Sequence, residues 1–223
     1  AAADVLSAIG TRAGLAPGVC CGRPLISQGL LDEARSLAQE NVDRLYPLAA
    51  RGATFVFTEP SCLSALREDV PDLLRGEAQV RARRVASACV LFEEYVEARA
   101  QAGARLPLQP GPARIVLHGH CHQKSMGLVS PARALLARVP GASVVDLDAG
   151  CCGMAGSFGY AREHYEVSRT IGERRLLPAA RELGPGSVLV ASGVSCRHQV
   201  DELAGVRALH AAELLRSVLN ENP

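Results

Sequence analysis

Apolar residues recur at three- and four-residue intervals through residues 29–52, GLLDEARSLAQENVDRLYPLAARG, and predict a helix that stops at Gly52. The pattern then changes. Residues 54–57, TFVF, form a short β-branched and aromatic run of the kind that fills a buried strand. A second helical pattern covers 77–103 and predicts one long helix with Cys89 on its apolar face, a small buried hydrophobe. From there strands and helices alternate. RIVLH, SVVDL and SVLVA read as strands, PARALLARVPG and the stretch 161–184 as helices, and VRALHAAELLRSVL as a short strand and a closing helix. Residues 106–112, LPLQPGP, are the best candidate linker.

Alternating strands and helices favour parallel sheets with right-handed crossovers. A repeat sharpens this. GVCCGRPLISQG is echoed by AGCCGMAGSFGY, and FVFTEPSC by VLVASGVSC. Cys20 and Cys151 are 131 residues apart, and Cys62 and Cys196 are 134 apart. Two landmarks at nearly one offset predict two homologous, Rossmann-like α/β halves. Each would run strand–CCG–helix and then strand–Ser-Cys–helix, with its cysteine loops at the carboxyl ends of the strands. The first half is assigned to 1–108 and the second to 109–223.

The chain of 223 residues is long enough to bury a core without disulfide staples. Its formal net charge of +1 gives no sign of a nucleic-acid surface. No apolar run approaches the ~20 residues of a membrane span, and the N-terminal stretch lacks the basic n-region of a signal peptide. These features place the protein in the cytoplasm, with peripheral attachment at the inner face of the membrane as an option.

Eight cysteines make a disulfide framework conceivable, but nothing else in the chain suggests a secreted scaffold. Seven of them fall where a parallel sheet presents ligands, on loops after strands or just ahead of helices. Cys121, Cys151, Cys152 and Cys196 converge from three loops of the second half. Four thiolates there would repel one another without a cation, so a metal centre follows, either zinc or iron–sulfur. Adjacent Cys151 and Cys152 splay apart and suit a centre of several irons better than one tetrahedral zinc. Gly150, Gly153, Gly156 and Gly159 let backbone N–H groups turn toward sulfur. The first half offers Cys20, Cys21 and Cys62 as a poorer metal site, open to zinc, with Glu59 as a candidate oxygen donor.

These motifs resemble the cysteine-rich CCG domain of the heterodisulfide reductase B type. TEPSCLSALREDVPDLL, HGHCHQKSMG, DAGCCGMAGSFGYAREHYEVS and SGVSCRHQV look closest to the C-terminal iron–sulfur part of FAD-linked oxidases, such as D-lactate, glycolate and 2-hydroxyglutarate dehydrogenases. The family pattern is Cys…Cys-Cys-Gly…Cys-x-x-Cys. Here the first member of the last pair is Gly193 in the second half and Glu59 in the first. The first-half counterpart of Cys121 would precede Ala1, so the chain looks like a fragment. The resemblance implies a 4Fe-4S type cluster on Cys121, Cys151, Cys152 and Cys196. Its partners would be a flavin-containing dehydrogenase domain or subunit and a quinone or another electron carrier. FAD would sit on the partner domain, because this chain has no GxGxxG after a strand and no P-loop. A thiol–disulfide oxidoreductase and a structural zinc domain remain as alternatives.

Several neighbours of the cysteines carry two readings each. His118, His120 and His122, and likewise His198, are candidate ligands or proton carriers, or else hydrogen-bond donors to sulfur and plain polar loop residues. Met154 and Phe158 form an apolar cover. Lys124 and Arg197 offset the charge of the centre or face solvent.

Overall fold

The computed structural model describes residues 1–156 and 158–220; Ser157, within the double-cysteine motif, lies outside them. The chain forms two compact units. One holds residues 14–91, and the other joins Ala1–Ala13 to everything from Phe92 onward.

In the unit of residues 14–91, β1 (Phe55–Phe57) pairs in parallel with β2 (Cys89–Leu91), Phe55 opposite Cys89 and Phe57 opposite Leu91. The helix Leu31–Ala50 buries Ala34, Ala38, Val42, Leu45 and Ala49, the stripe its periodicity predicts. The long helix expected over 77–103 is not one element. It divides into a helix Gly76–Ala86, strand β2, and a helix Phe92–Gln101. An unbroken apolar run such as Cys89-Val90-Leu91-Phe92 suits a helix face and a buried parallel strand equally. Pairing with β1 decides for the strand, which puts Cys89 at the start of β2 rather than mid-helix. Its side chain is buried, as expected. The strand expected before the first CCG is also missing, since residues 11–21 carry no regular structure.

The other unit is built on a three-stranded parallel sheet in the order β4-β3-β5, where β3 is Arg114–His118, β4 Ser143–Asp146 and β5 Ser187–Ala191. Register places Leu117 opposite Asp146 and His118 opposite Ala191. The central strand is buried from Ile115 to His118, which is why its sequence reads as a continuous apolar run rather than an alternating one. Because all three strands are parallel, their carboxyl ends share one edge. Residues 106–112, expected to be a linker, lie inside this unit. Leu108 bridges Leu219, and the Pro107 carbonyl accepts from the Asn220 amide at 2.9 Å.

The single helix expected over 161–184 is divided as well. Short 3₁₀ turns lead into helices Tyr165–Glu173 and Leu176–Arg181. Pro178 accounts for the break. In a continuous helix it would supply no N–H to the Arg174 carbonyl and would clash with it.

One ion pair between an exposed guanidinium and a buried carboxylate fastens the helix Phe92–Gln101 within this unit. Arg138 donates to both carboxylate oxygens of Glu97, at 2.6 and 2.9 Å, and the Glu97 side chain is only 6% exposed. Arg138, with burial acting in the opposite sense, sets the Glu97 carboxyl below its ordinary range. A depressed carboxyl pKa adds stability above the unfolded value and loses it as pH falls through the folded one. Arg138→Met should therefore cost about 1–3 kcal/mol at neutral pH. The gap between wild type and variant should close as urea melts are moved from pH 7 down below about 4.

Candidate metal centre

Each cysteine loop of the larger unit grows from the end of a strand. Cys121 opens the short helix Cys121–Ser125, three residues past β3. Cys151 and Cys152 lie on the irregular loop after β4, and Cys196 lies in the first turn of helix Val194–Ala204, after β5. The parallel sheet thus delivers four thiols to one edge. They form a chain of sulfur contacts in which Cys151 neighbours Cys121 and Cys152, and Cys152 also neighbours Cys196.

Each sulfur shifts the titration of its neighbours. Hydrogen bonds from Cys121 and then Cys152 hold Cys151 far below an ordinary thiol, and Cys152 does the same for Cys196 against its burial. His118 and His120, close to Cys196, also favour its thiolate. The donor thiols Cys121 and Cys152 are pushed far up, first by those same partners and then by burial. Four thiolates at once would need a cation among them.

Backbone and side chains hold the loop in place. The Gly153 amide donates to Cys151 Sγ at 3.2 Å. Gly153 has φ of +104°, and a Cβ there would lie 2.3 Å from the Ser168 carbonyl oxygen, so no other residue fits so close to helix Tyr165–Glu173. Gln199 Nε2, buried, donates to the Cys152 carbonyl at 3.1 Å and the Ser168 carbonyl at 3.2 Å. Lys124 Nζ donates to the Gly150 carbonyl at 3.1 Å. Cys152, Met154 and Cys196 belong to one apolar cluster with Leu176, Leu177, Leu189 and Val200.

The histidines separate into distinct roles. His120 caps helix Cys121–Ser125. Its Nδ1 accepts from the His122 amide at 3.2 Å, and its own amide donates to Gln123 Oε1 at 3.2 Å. The His120 and His122 rings stack at 5.6 Å. His198 Nδ1 pairs with the Tyr160 hydroxyl at 3.0 Å. Phe158 stacks on His164 at 4.1 Å. Arg197 donates to the carbonyls of Ala191 and Ser192, at 2.8 and 2.7 Å, and so serves the end of β5. His118, fully buried at the end of β3, lies beside Cys196 and favours its thiolate. Its ring nitrogen and the Sγ atoms of Cys152 and Cys196 lie within 4.8 Å of one another.

The smaller unit repeats the arrangement with fewer donors. Cys62 lies in helix Pro60–Ser64 just past β1, and Cys21 Sγ is 3.1 Å from Cys62 Sγ. The contact between them lowers the Cys21 thiol to about 6 and raises that of Cys62. Cys20, next to them in sequence, is exposed. Glu59 uses Oε1 to cap helix Pro60–Ser64, accepting from the Ser61 amide and hydroxyl at 3.2 and 2.8 Å.

Asn41 and Gln199 are the supporting residues that sequence reading missed. Buried Asn41 Nδ2 donates to the Cys20 carbonyl at 2.9 Å, and its Oδ1 accepts from the Val19 amide at 3.1 Å. In each unit, then, a buried side-chain amide grips the backbone of the double cysteine. The available signal was an amide on the apolar stripe of a helix: Asn41 precedes Val42, and Gln199 precedes Val200.

Comparison with known proteins follows the same lines. A family model described as "Cysteine-rich domain" matches residues 2–67 and 115–201. The chain is 32% identical over 217 residues to one of the subunits of the anaerobic glycerol-3-phosphate dehydrogenase of Escherichia coli (strain K12), an alignment covering 96% of this chain and 53% of that protein. It is 29% identical over 216 residues to the D-2-hydroxyglutarate dehydrogenase of Pseudomonas putida, covering 95% of this chain and 20% of the relative. The corresponding enzyme of Escherichia coli (strain K12) is 27% identical over 203 residues, with 86% and 18% covered. The chain spans about half the length of the first relative and about a fifth of the other two. Among the described residues, no helix is long and apolar enough to cross a membrane.

Proposed function

The chain belongs to the cysteine-rich domain family in two repeats, and on that premise we propose that it is the iron–sulfur electron-transfer module of a flavin-linked dehydrogenase. The observation that carries this reading is the delivery of four thiols to the carboxyl edge of one parallel sheet. Cys121, Cys151, Cys152 and Cys196 would hold a 4Fe-4S type cluster. Such a cluster takes up and releases single electrons with little change of shape, drawing them from reduced flavin on a partner domain or subunit and passing them to a quinone or another carrier. A 2-hydroxy acid or a polyol phosphate fits the names of the relatives as the partner's substrate.

This chain's own residues set the environment. The Gly153 amide donates to Cys151 Sγ, which lowers the electron density on that thiolate. Leu176, Leu177, Leu189 and Val200 exclude water from the Cys152–Cys196 side. Cys121 and Cys151, both half-buried, face the side from which an electron can enter or leave. Cys20, Cys21 and Cys62 would form a second, poorer metal position, open to zinc.

A thiol–disulfide oxidoreductase is the second reading. The 3.1 Å approach of Cys21 to Cys62 and the low pKa of Cys21 favour it. Anaerobic purification with iron, zinc and acid-labile sulfide analysis separates the readings. A brown protein with about four irons and four sulfides per chain is the expected result. Two clusters per chain would show the smaller unit to be a full site. A metal-free protein with one hyper-reactive cysteine would favour the thiol enzyme, and zinc without sulfide would favour a structural domain.

A further inference from the structure

We propose that Lys124 is a positioning residue of the metal centre: it latches the helix of Cys121 to the loop of Cys151 and sets the charge on the open side of the sulfur cluster. This rests on the reading that the cluster holds iron and sulfide. Lys124 follows Cys121 by three residues on the short helix Cys121–Ser125, the spacing that puts two side chains on one helix face. Its ammonium reaches across to the neighbouring loop. Nζ donates to the Gly150 carbonyl at 3.1 Å, and that carbonyl belongs to the peptide leading directly into Cys151. The stem is laid against the protein, since the Lys124 side chain is 26% exposed and a Cβ at Gly119 would lie 3.3 Å from its Cε. Cys121 and Cys151, the two cysteines tied together in this way, are half-buried, whereas Cys152 and Cys196 are buried.

The start of the loop is held near the same cation. Asp148 Oδ1 lies 3.8 Å from Lys124 Nζ. Asp148 has φ of +44°, a left-handed conformation in which aspartate and asparagine are among the commonest residues after glycine. Its carbonyl accepts from Arg175 at 3.2 Å and its amide donates to Asp146 Oδ1 at 3.0 Å, so its backbone is fixed independently of its carboxylate. Lys124 and Asp148 therefore bring opposite charges to nearly one place, and they differ in cover. The Asp148 side chain is 85% exposed, so water and salt screen its carboxylate more than the enclosed ammonium. An electron enters the centre as added negative charge. A cation beside Cys151 favours the reduced centre and raises its potential, and an anion does the reverse.

Lys124→Met and Asp148→Asn break the same ion pair but remove opposite charges, so a purely structural contact and a charge that tunes the centre give different signs. The test uses the full chain, loaded anaerobically with ferrous iron and sulfide and titrated with dithionite at one pH and low salt. Lys124→Met should shift the midpoint potential downward and Asp148→Asn upward. The double variant should fall between them, and Lys124→Arg should stay near wild type. The downward shift should shrink in about 1 M salt, where the screening length is about 3 Å. Lys124→Met should also release iron to a chelator about fivefold faster, because the tie to Gly150 is lost. Both single variants moving the potential in one direction would overturn the assignment, as would a Lys124→Met protein with the wild-type potential; either result leaves the proposed function standing. Iron release at the wild-type rate in Lys124→Met overturns the latch. A chain that takes up neither iron nor sulfide overturns the proposed function itself, and the role of Lys124 with it.

Discussion

Cys152→Ser is expected to abolish stable iron binding and to bleach the visible absorbance of the anaerobically loaded protein. Cys152 is the hinge of the sulfur chain, in contact with both Cys151 and Cys196. It is also buried in the apolar cluster, where water cannot stand in for a lost ligand. Serine supplies a hard oxygen that a soft iron–sulfur centre binds poorly. Its carbonyl and backbone are already held by Gln199, so the loop cannot rearrange to bring another donor forward. Cys121→Ser and Cys151→Ser should do less damage, because these positions are half-exposed and water can approach. Cys89→Ser is the control. Burial pushes that thiol up to about 12, and its Sγ donates to the Val85 carbonyl at 3.2 Å, which a hydroxyl can also do. That variant should keep full iron and lose no more than about 1 kcal/mol of stability. Iron, sulfide and absorbance measured side by side decide the matter, and a Cys152→Ser protein with wild-type iron would remove Cys152 from the ligand set.

Gly193→Cys is expected to lower iron content and destabilise the fold, although it rebuilds the Cys-x-x-Cys pair of the family pattern. A Cβ at Gly193 would lie 2.2 Å from His120 Cδ2, 3.0 Å from Nε2 and 3.2 Å from Cys196 Sγ. The backbone is not the obstacle, since φ is −74° and ψ 131°, values any residue adopts. The obstacle is the imidazole, which fills the space a side chain at 193 would enter. His120 is 5% exposed and is tied at both ends of its capping box, so it can yield only by uncapping helix Cys121–Ser125. Overpacking at about 1–3 kcal/mol and a lost cap at about 1 kcal/mol together suggest a loss of about 2–4 kcal/mol. Cys121 would move with the cap. Thermal or urea melts measure the loss, and His120→Ala should restore most of it in the double variant. A Gly193→Cys protein as stable as wild type, with more iron, would show that the imidazole gives way.

The repeat and the three strands β3, β4 and β5 are legible in the sequence because each strand is a short run rich in β-branched and aliphatic residues, followed within five residues by glycine and cysteine. The place of Cys121, Cys151, Cys152 and Cys196 at strand ends follows from the same pattern, since parallel strands must all end on one edge. The division of residues 77–103 is not legible, because helix and buried strand share one signature over three apolar residues. Only β1, more than thirty residues upstream in the chain, chooses between them. The division of 161–184 one turn ahead of Pro178 is open to sequence reading, because the missing N–H is a local fact.

Residue identity and spacing by themselves determined the alternation of strand and helix, the duplication, and the loops that carry sulfur, because these depend on local propensity and chain order. The tertiary structure alone decided which neighbours of those loops count. Asn41 and Gln199 grip the double cysteines, His120 fills the place of a side chain at 193, and His118 is buried beside Cys152 and Cys196. Hydrogen bonding and close packing act over a few ångströms between residues tens of positions apart, and spacing along the chain carries no record of which of them will meet.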